Sequence, residues 1–389
     1  MKLNLGFLTL PVDDGSTLDW RGTSFFLTVC IATMCAGLAA GHSKRLYEAG
    51  AVSPAAYFVA NRRMGLFTGA CSIVASVTSA GMLNGTSEGM SRYGLVWTLG
   101  PFFKALSLLI ASVTLAPRLR ARGYTTVLDP LQERLGARTG SVLVLPAVFA
   151  TVVWFATILT ALGSTIAVAL NQPRATSTLA CLLVTLAYTL VGGLRVVAVT
   201  DVLQLAILIT ALCVVVPVAA SHAAVVDDLY VLAEPSHPGS YVGTWQERVH
   251  HVPLGCLRPD GSLNPMSTCG YEGMCSIRCT ADERVIAYGW LGGQWFERAL
   301  ISLCSWTVSQ VYAQRVLAAR SSADARRMGL AAAGMQLVVS SLCILLGAVG
   351  AAADWQAAGE DALEVCVDEP AYTAPCVLRY LCPPLVRWL

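Results

Sequence analysis

Runs of apolar residues long enough to cross a lipid bilayer as helices are the feature that most constrains the fold of this chain. A span needs about 20 mostly apolar residues, and we predict eight such segments, the seventh being the least apolar: Gly22–Gly41, Gly65–Leu83, Leu95–Ala116, Ser141–Leu170, Ala175–Leu194, Val196–Ala220, one within Tyr288–Val311, and Met328–Ala351. Charged residues make up 13% of the 389 residues, against roughly 25% in soluble domains. The sequence therefore predicts an all-α polytopic membrane protein surrounded by the lipid bilayer, and no basic tract indicates a nucleic-acid partner.

The hydrophilic segments between the spans divide the chain into six parts. We expect an N-terminal tail (1–21), six spans including a broken helix at 65–83 (22–220), a cysteine-containing insertion (221–285), two further spans (286–352), a loop (353–379) and the start of another helix (380–389). Basic residues concentrate in alternate short loops: Lys44, Arg45, Arg62, Arg63, Arg118, Arg120, Arg122, Arg134, Arg138, Arg195, Arg315, Arg320, Arg326 and Arg327. By the positive-inside rule those loops are cytoplasmic. The N-terminus, the insertion and the later loop are then extracellular, and we expect the plasma membrane.

Six cysteines fall in the two segments predicted to be extracellular: Cys256, Cys269, Cys275 and Cys279 in the insertion, and Cys366 and Cys376 in the loop. Cysteines outside the cytoplasm favour disulfides, whose pairing the sequence leaves open. A zinc site is a weaker alternative because the spacing fits no CxxC template, and free thiols are a third.

The apolar stretch Tyr188–Ile209, "YTLVGGLRVVAVTDVLQLAILI", contains Arg195, Asp201 and Gln204. We interpret it as a helix junction near the interface. One helix would end at a glycine pair, Arg195 would lie in a tight turn, and Thr200 would cap the next helix with Asp201 and Gln204 in its first turn. The alternative is that Arg195 and Asp201 form part of an inner gate.

The segment "SIVASVTSAGMLNGTSEGM" should span the membrane, yet it is rich in serine, threonine and glycine. Such helices often pack tightly against neighbours. The functional alternative is a helix interrupted near mid-membrane, where unwound carbonyls coordinate a cation and the half-helix ends face a substrate. Carbonyl and hydroxyl oxygens suit a hard ion such as Na⁺. The sequence contains no HExxH or P-loop pattern that would indicate an enzyme.

Two further positions deep in predicted spans favour a binding site. Trp154, Thr157, Thr160 and Ser164 recur at helical spacing, which puts an aromatic ring and hydroxyls on one face. A tryptophan face attracts quaternary ammonium groups by about 2 kcal/mol or more when water is excluded. Lys104 needs a partner or a water-filled cavity at its depth, unless it extends to the outer surface.

The ordered runs "NGTSEG", "YGLVWTLGP", "RARGYTTVLDPLQERLGARTG", "ALGSTIAV", "YTLVGGLRVVAVTDVLQL", "QVYAQRVLAARS" and "YLCP" resemble the sodium:solute symporter family, with most similarity to its high-affinity choline transporter branch. The resemblance covers about Ala56–Val225 and Gln310–Pro383. It implies a LeuT-type inverted-repeat core preceded by one extra helix, and a Na⁺-coupled symporter rather than an enzyme. The expected activity is import of choline or a related small solute by alternating access, with a requirement for chloride left open.

The resemblance also implies roles for individual residues. Ala75 and Thr78 correspond to positions that coordinate Na⁺ in the family, and Ser79, beside them at the expected break, is expected to contact the substrate. Trp154 and Trp306 match tryptophans of the family's choline cage, although Trp295 competes with Trp306 for that role.

Two positions depart from the choline transporter pattern, because Val77 replaces a tryptophan and Lys104 replaces a tyrosine of the cage. A buried cationic lysine would repel the choline ammonium. These departures favour a symporter for another small solute, such as a zwitterion or a sugar. The family pattern also continues beyond "YLCP", so we expect a fragment or a flawed gene model with a core incomplete at the C-terminus. A transport-inactive membrane sensor or regulatory fragment is therefore a further alternative.

Overall fold

The structure is a computed structural model of the chain. It describes scattered positions between 23 and 39, residues 54–93, 95–170 and 174–225, four short strands between 249 and 288, residues 291–359 and 372–383, and Ala362, Cys366 and Val386.

The described part is mostly helical. We number its helices α1 to α13: Pro54–Val59, Leu66–Val77, Ala80–Tyr93, Gly100–Thr114, Ala116–Arg122, Asp129–Leu135, Ala137–Leu170, Arg174–Ala220, Leu291–Ser305, Gln310–Leu317, Ser322–Ala352, Trp355–Ala358 and Thr373–Tyr380. Short 3₁₀ turns cover Ala60–Arg62 and Leu95–Thr98. Four strands lie in the hydrophilic segment: β1 Val249–His251, β2 Cys269–Tyr271, β3 Cys275–Cys279 and β4 Arg284–Tyr288.

Apolar helices of membrane-spanning length confirm the expectation of a multi-pass protein. Among the described residues, three helices are long and apolar enough to cross a bilayer, over Arg138–Ala167, Leu194–Ala220 and Ser322–Ala352. Two bent pairs raise the number to as many as five, Leu66–Val77 with Ala80–Ser91 at 55° and Gly100–Thr114 with Ala116–Arg122 at 44°. The break predicted within 65–83 is thus present, and its second half continues beyond the predicted end at Leu83.

Helix α8 corrects the prediction of two spans joined by a turn at Arg195. It runs without interruption for 47 residues, about 70 Å at 1.5 Å per residue. The glycine pair at its middle lowers helix propensity by about 1 kcal/mol per residue relative to alanine. The helix nevertheless continues through the glycine pair, with apolar residues before and after it.

The insertion corrects the all-α prediction. Its four strands form one antiparallel sheet in the order β1-β4-β3-β2, with Ile277 opposite Ala287 and His250 opposite Val285.

Two further boundaries differ from the predictions. The seventh predicted span, within Tyr288–Val311, is divided among the end of β4, helix α9 and the start of α10. A helix was expected to begin at Tyr380, but Tyr380 is the last residue of α13. The helix ends there because the chain turns at Leu381 and Cys382. The next residue, Pro383, has no backbone N–H and so cannot donate the hydrogen bond that would continue the helix.

Helix α11 lies at the centre of the described core and packs against α2, α3, α4, α5 and α8. It begins at an N-cap in which the Ser321 hydroxyl accepts the Asp324 N–H at 3.0 Å. Glycines allow α11 and its neighbouring helices to approach each other closely. A Cβ on Gly347 would lie 2.7 Å from the Ser87 backbone oxygen of α3, and one on Gly69 of α2 would overlap the Met328 side-chain end at 1.6 Å. The helices therefore meet at backbone distance, as small residues permit in membranes.

Candidate functional site

The break in the first bent span frees the Ala75 carbonyl from the helical hydrogen-bond ladder. In a continuous helix the Ser79 N–H would bond to Ala75, but it bonds to the Val77 oxygen at 3.1 Å instead. Thr78 has φ −85° and ψ 74°, outside the helical region. Ser79 precedes α3, and its hydroxyl accepts the Met82 N–H at 3.3 Å. The break thus leaves the Ala75 carbonyl without the Ser79 N–H that it would accept in a continuous helix.

A buried polar side chain from α11 lies against this break. The Thr78 hydroxyl donates to the Gln336 Oε1 at 3.4 Å, and Gln336 is fully buried. The Gln336 amide nitrogen lies 3.2 Å from the Ser340 hydroxyl and 3.4 Å from the Met82 sulfur. Amide and hydroxyl oxygens beside a freed carbonyl are ligands of the kind that a hard monovalent cation prefers.

Val77 and Ser79 of the broken span were also predicted to contact substrate. Val77 lies in the core, and Ser79 lies at the break. Val77 is 1% exposed and belongs to the hydrophobic core, so it lies away from any open surface. Ser79 is half-buried at the break itself.

A second interruption separates α9 from α10. Trp306 follows the last residue of α9, and Ser309, in extended conformation, precedes α10. Trp306 is 7% exposed. The Thr307 hydroxyl lies 2.9 Å from that of Ser107 on α4. This interruption therefore packs against α4.

The structure brings together the two tryptophans that the resemblance assigned to one cage. The rings of Trp154 and Trp306 lie edge to face, with centroids 6.0 Å apart and an interplanar angle of 80°. Helix α7 is held beside the broken span by Asn84 of α3, whose amide donates to the Ala161 carbonyl at 3.2 Å and to the Thr165 hydroxyl at 3.0 Å. The side chain of Trp295, the competing candidate, lies outside the described residues.

A cavity of 320 Å³ opens between α3, α4 and α9. On α3 it is lined by Gly81, Gly85 and Gly89, which recur every four residues and expose backbone on one helix face. Lys104 of α4 lines it opposite, together with Arg298 and Ser302 of α9. Of the described residues predicted to contact substrate, Lys104 is the one that lines this cavity.

Asp201 does not start a helix but joins a buried ion pair. Its carboxylate lies 3.5 Å from the Arg315 guanidinium of α10 and accepts the Ser72 hydroxyl of α2. Arg315 also donates to the Ser72 carbonyl at 3.1 Å and to the Val311 carbonyl at 3.0 Å. Charge-assisted bonds of this kind are stronger than neutral ones. The cluster ties α2, α8 and α10 together.

The capping interpretation of Thr200 and Gln204 is wrong. Thr200 is buried within α8, and its hydroxyl donates to the Val197 carbonyl at 2.8 Å instead of accepting a backbone N–H. Gln204 and Arg195 are exposed on the same helix. The partner of Asp201 is Arg315, which sequence reasoning missed because 114 residues separate the two. The available signal was general: a buried acid needs a cationic or hydrogen-bonding partner.

Residues Gly85–Gly89, "GTSEG", match the GxSxG sequence pattern of serine hydrolases, but their position in the fold does not fit a hydrolase active site. They lie inside α3, and the fully buried Ser87 donates its hydroxyl to the Cys343 carbonyl at 3.3 Å. A nucleophile elbow needs an exposed serine on a strand-to-helix turn.

Two of the predicted disulfide cysteines are joined to each other. Cys366 pairs with Cys376, with Cα atoms 6.0 Å apart. Cys269, Cys275 and Cys279 lie in strands, but their side chains, and Cys256 altogether, lie outside the described residues. Among the described residues no cluster of three or more His, Cys, Asp or Glu could hold a metal ion.

Comparison with known proteins gives a consistent result. A family model described as the sodium:solute symporter family matches residues 57–389. The human high affinity choline transporter 1 is 32% identical over 336 residues, which cover 86% of this chain and 51% of the relative. The Drosophila melanogaster high-affinity choline transporter 1 is 30% identical over 369 residues, or 94% of this chain and 50% of the relative. The chain therefore spans about half the length of the curated relatives it matches.

A solved structure supports the fold independently. It is described as a substrate-bound outward-open state of a Na⁺-coupled sialic acid symporter that reveals a novel Na⁺ site. Its TM-score is 0.60 at 12% identity, and the match covers 94% of this chain and 67% of that one.

Proposed function

Because the chain belongs to the sodium:solute symporter family, we propose that it takes part in Na⁺-coupled import of choline or a related small solute by alternating access. The relatives are transporters, in agreement with the expectation that the chain is not an enzyme. The proposal rests on one observation above all, the interruption of a membrane helix at Thr78 and Ser79, which turns the Ala75 carbonyl away from its helical partner.

Na⁺ would bind at this interruption, with the Ala75 carbonyl and the Thr78 hydroxyl as ligands. Thr78 is buried and Ala75 is half-buried against the hydrophobic core, so water competes less for the ion there than at an exposed site and an ion–oxygen contact is stronger. An ion bound there would stabilise the arrangement of α2 and α3 around the break. Its entry would thereby be coupled to the conformation of the adjacent substrate site.

The solute would be held next to the tryptophan pair. Trp154 of α7 and Trp306, which follows α9, meet beside the second interruption, so a cation between α4 and α7 would lie within reach of two aromatic rings. Each ring attracts a desolvated ammonium by about 2 kcal/mol. This pair supports an ammonium-bearing solute such as choline.

The buried pair of Asp201 and Arg315 supports a role as a gate. It links α2, which precedes the break, to α8 and α10. Alternating access requires such links to form in one state and open in another. Arg195, the other residue of the predicted gate, is exposed and takes no part in this pair.

Sodium dependence is tested by thermal unfolding of the purified full chain in NaCl, KCl and LiCl at equal ionic strength. Stabilisation by Na⁺ alone is expected, because a ligand that binds the folded state raises the melting temperature. Thr78→Val should weaken the Na⁺ response by about tenfold or more in concentration. Thr151→Val is the matched control, since Thr151 makes only a local bond to Ala147 on an exposed face. Equal stabilisation in all three salts would contradict sodium coupling.

Choline handling is tested by uptake of labelled choline into vesicles under an imposed Na⁺ gradient. Trp154→Ala should reduce choline affinity by roughly 30-fold, the equivalent of about 2 kcal/mol. Phe149→Ala on the same helix is the control, because its ring is 71% exposed on the outer face. Unchanged affinity in the tryptophan variant would remove the aromatic pair from the proposal.

A further inference from the structure

We propose that the cavity between α3, α4 and α9 binds the carboxylate of the transported solute, with Lys104 as its counter-ion. This inference rests on the proposed transport function and specifies the chemical class of the solute. It predicts a preference for carboxylate-bearing zwitterions or anions over choline, which carries only a positive charge.

The charge of the cavity wall supports this assignment. Among the described residues that line it, Lys104 and Arg298 are cationic and none is acidic. No carboxylate of the described residues lies within ion-pair distance of Lys104. A lysine at membrane depth is costly unless a partner or water accompanies it. A bound carboxylate would supply that partner.

The shape of the cavity supports a small ligand in close contact with the protein. Its 320 Å³ lies at the low end of the roughly 300–1,000 Å³ found for ligand sites. Gly81 and Gly85 of α3 leave backbone bare along part of one wall, so the ligand can approach that helix between the side chains of Met82 and Thr86, which also line the cavity. The cavity also adjoins the N-terminal end of α4, Gly100 and Pro101, where the helix dipole favours negative charge.

The position of Lys104 relative to the tryptophan pair favours a ligand with charges at both ends. Lys104 and Ser107 are three residues apart on α4 and therefore share a face. Ser107 contacts Thr307, the residue after Trp306. Lys104 and the contact with the residue next to Trp306 thus lie on one face of α4, and we place the carboxylate at Lys104 with the quaternary ammonium of the same molecule toward the rings.

Three probes of matched shape test the inference on the full chain. Choline carries a quaternary ammonium and a hydroxyl, N,N,N-trimethylglycine the same ammonium with a carboxylate, and 3,3-dimethylbutyrate the carboxylate without the ammonium. Binding in NaCl is measured by thermal shift and by quenching of tryptophan fluorescence. We expect trimethylglycine to bind roughly tenfold to hundredfold more tightly than choline, the range for a hydrogen bond to a charged group.

Variants at Lys104 separate charge from packing. Lys104→Met should abolish the advantage of trimethylglycine over choline, and Lys104→Arg should keep most of it. The ratio of the two affinities is the readout, so a general loss of folding does not imitate the effect. Arg320→Met, a change of a cation outside the cavity, serves as the control and should leave the ratio unchanged.

The outcomes distinguish this inference from the proposed function. Tighter binding of choline than trimethylglycine, with a ratio insensitive to Lys104→Met, would overturn the carboxylate site while leaving Na⁺-coupled transport intact. If Na⁺ produces no stabilisation and no probe binds in a Na⁺-dependent manner, the proposed function fails first. Binding of 3,3-dimethylbutyrate that is lost in Lys104→Met supports the carboxylate contact by itself.

Discussion

Removal of Arg315 should destabilise the protein far more than removal of a surface arginine. The guanidinium lies 3.5 Å from the Asp201 carboxylate, and Coulomb attraction at that distance with an effective dielectric of about 20 is roughly 5 kcal/mol. Arg315→Met would leave the buried carboxylate with the Ser72 hydroxyl as its remaining bond. Stranding one member of a buried pair costs about 3–5 kcal/mol, which is the loss we expect in the free energy of unfolding.

A double-mutant cycle isolates the pair itself. Asp201→Asn, Arg315→Met and the double variant are unfolded in mixed micelles of increasing SDS content. We expect the double variant to be about 3 kcal/mol more stable than the sum of the two single losses predicts, because the second change removes the charge that the first one stranded.

The exposed pair of Arg122 and Glu133 is the matched control. Its atoms lie 3.8 Å apart, a similar separation, but the side chains are 64% and 58% exposed. Such pairs contribute about 0–1 kcal/mol and are screened by salt. A coupling in the buried pair no larger than in this exposed pair, or one that 1 M NaCl removes, would refute the reasoning.

Three other predictions concern packing, covalent linkage and pH. Gly347→Ala should cost about 1–3 kcal/mol, because a Cβ would lie 2.7 Å from the α3 backbone, whereas Gly334→Ala on the same helix meets no atom within 4 Å and should be neutral or stabilising in the same SDS titration. Replacing Cys366 and Cys376 by serine opens a loop of sequence separation 10 and should lower the free energy of unfolding by roughly 2.7 kcal/mol; no change on reduction of the parent protein would contradict this. Burial raises the pKa of Asp129, but the hydroxyl of a threonine and two backbone N–H groups lower it more, so the net pKa is below its usual value. This carboxylate therefore adds stability above its unfolded pKa of about 3.9, which is lost as pH falls through the folded value, and Asp129→Asn should flatten the dependence of unfolding on pH in that range.

The sequence predicted what depends on local composition. Serine, threonine and glycine within an apolar run favoured either tight packing or an interruption of this span, and the structure has an interruption at Thr78 and Ser79. The pairing of Trp154 with Trp306 followed from family resemblance, since no local pattern connects residues so far apart.

What the sequence did not predict depends on contacts between distant residues. The partners of Asp201 are Ser72 and Arg315, and an acid near a glycine pair fits a helix cap as well as a buried pair. The local pattern favoured the cap, but tertiary contacts with α2 and α10 decided the outcome. The sheet was missed because strands of three to five residues in a polar segment give too few alternations to stand out.

The two glycine contacts of α11 make the halves of the interrupted span unequal in their freedom to move. At Gly347 the neighbours include the Ser87 backbone of α3, which cannot yield as a flexible side chain does, so we expect α3 and α11 to move together. At Gly69 the neighbour is the tip of Met328, a side chain that can rotate about three bonds and yield to a shifted helix. Tilting about a pivot at Thr78 is therefore expected to carry α2, while α3 remains fixed as the reference against which that motion is measured.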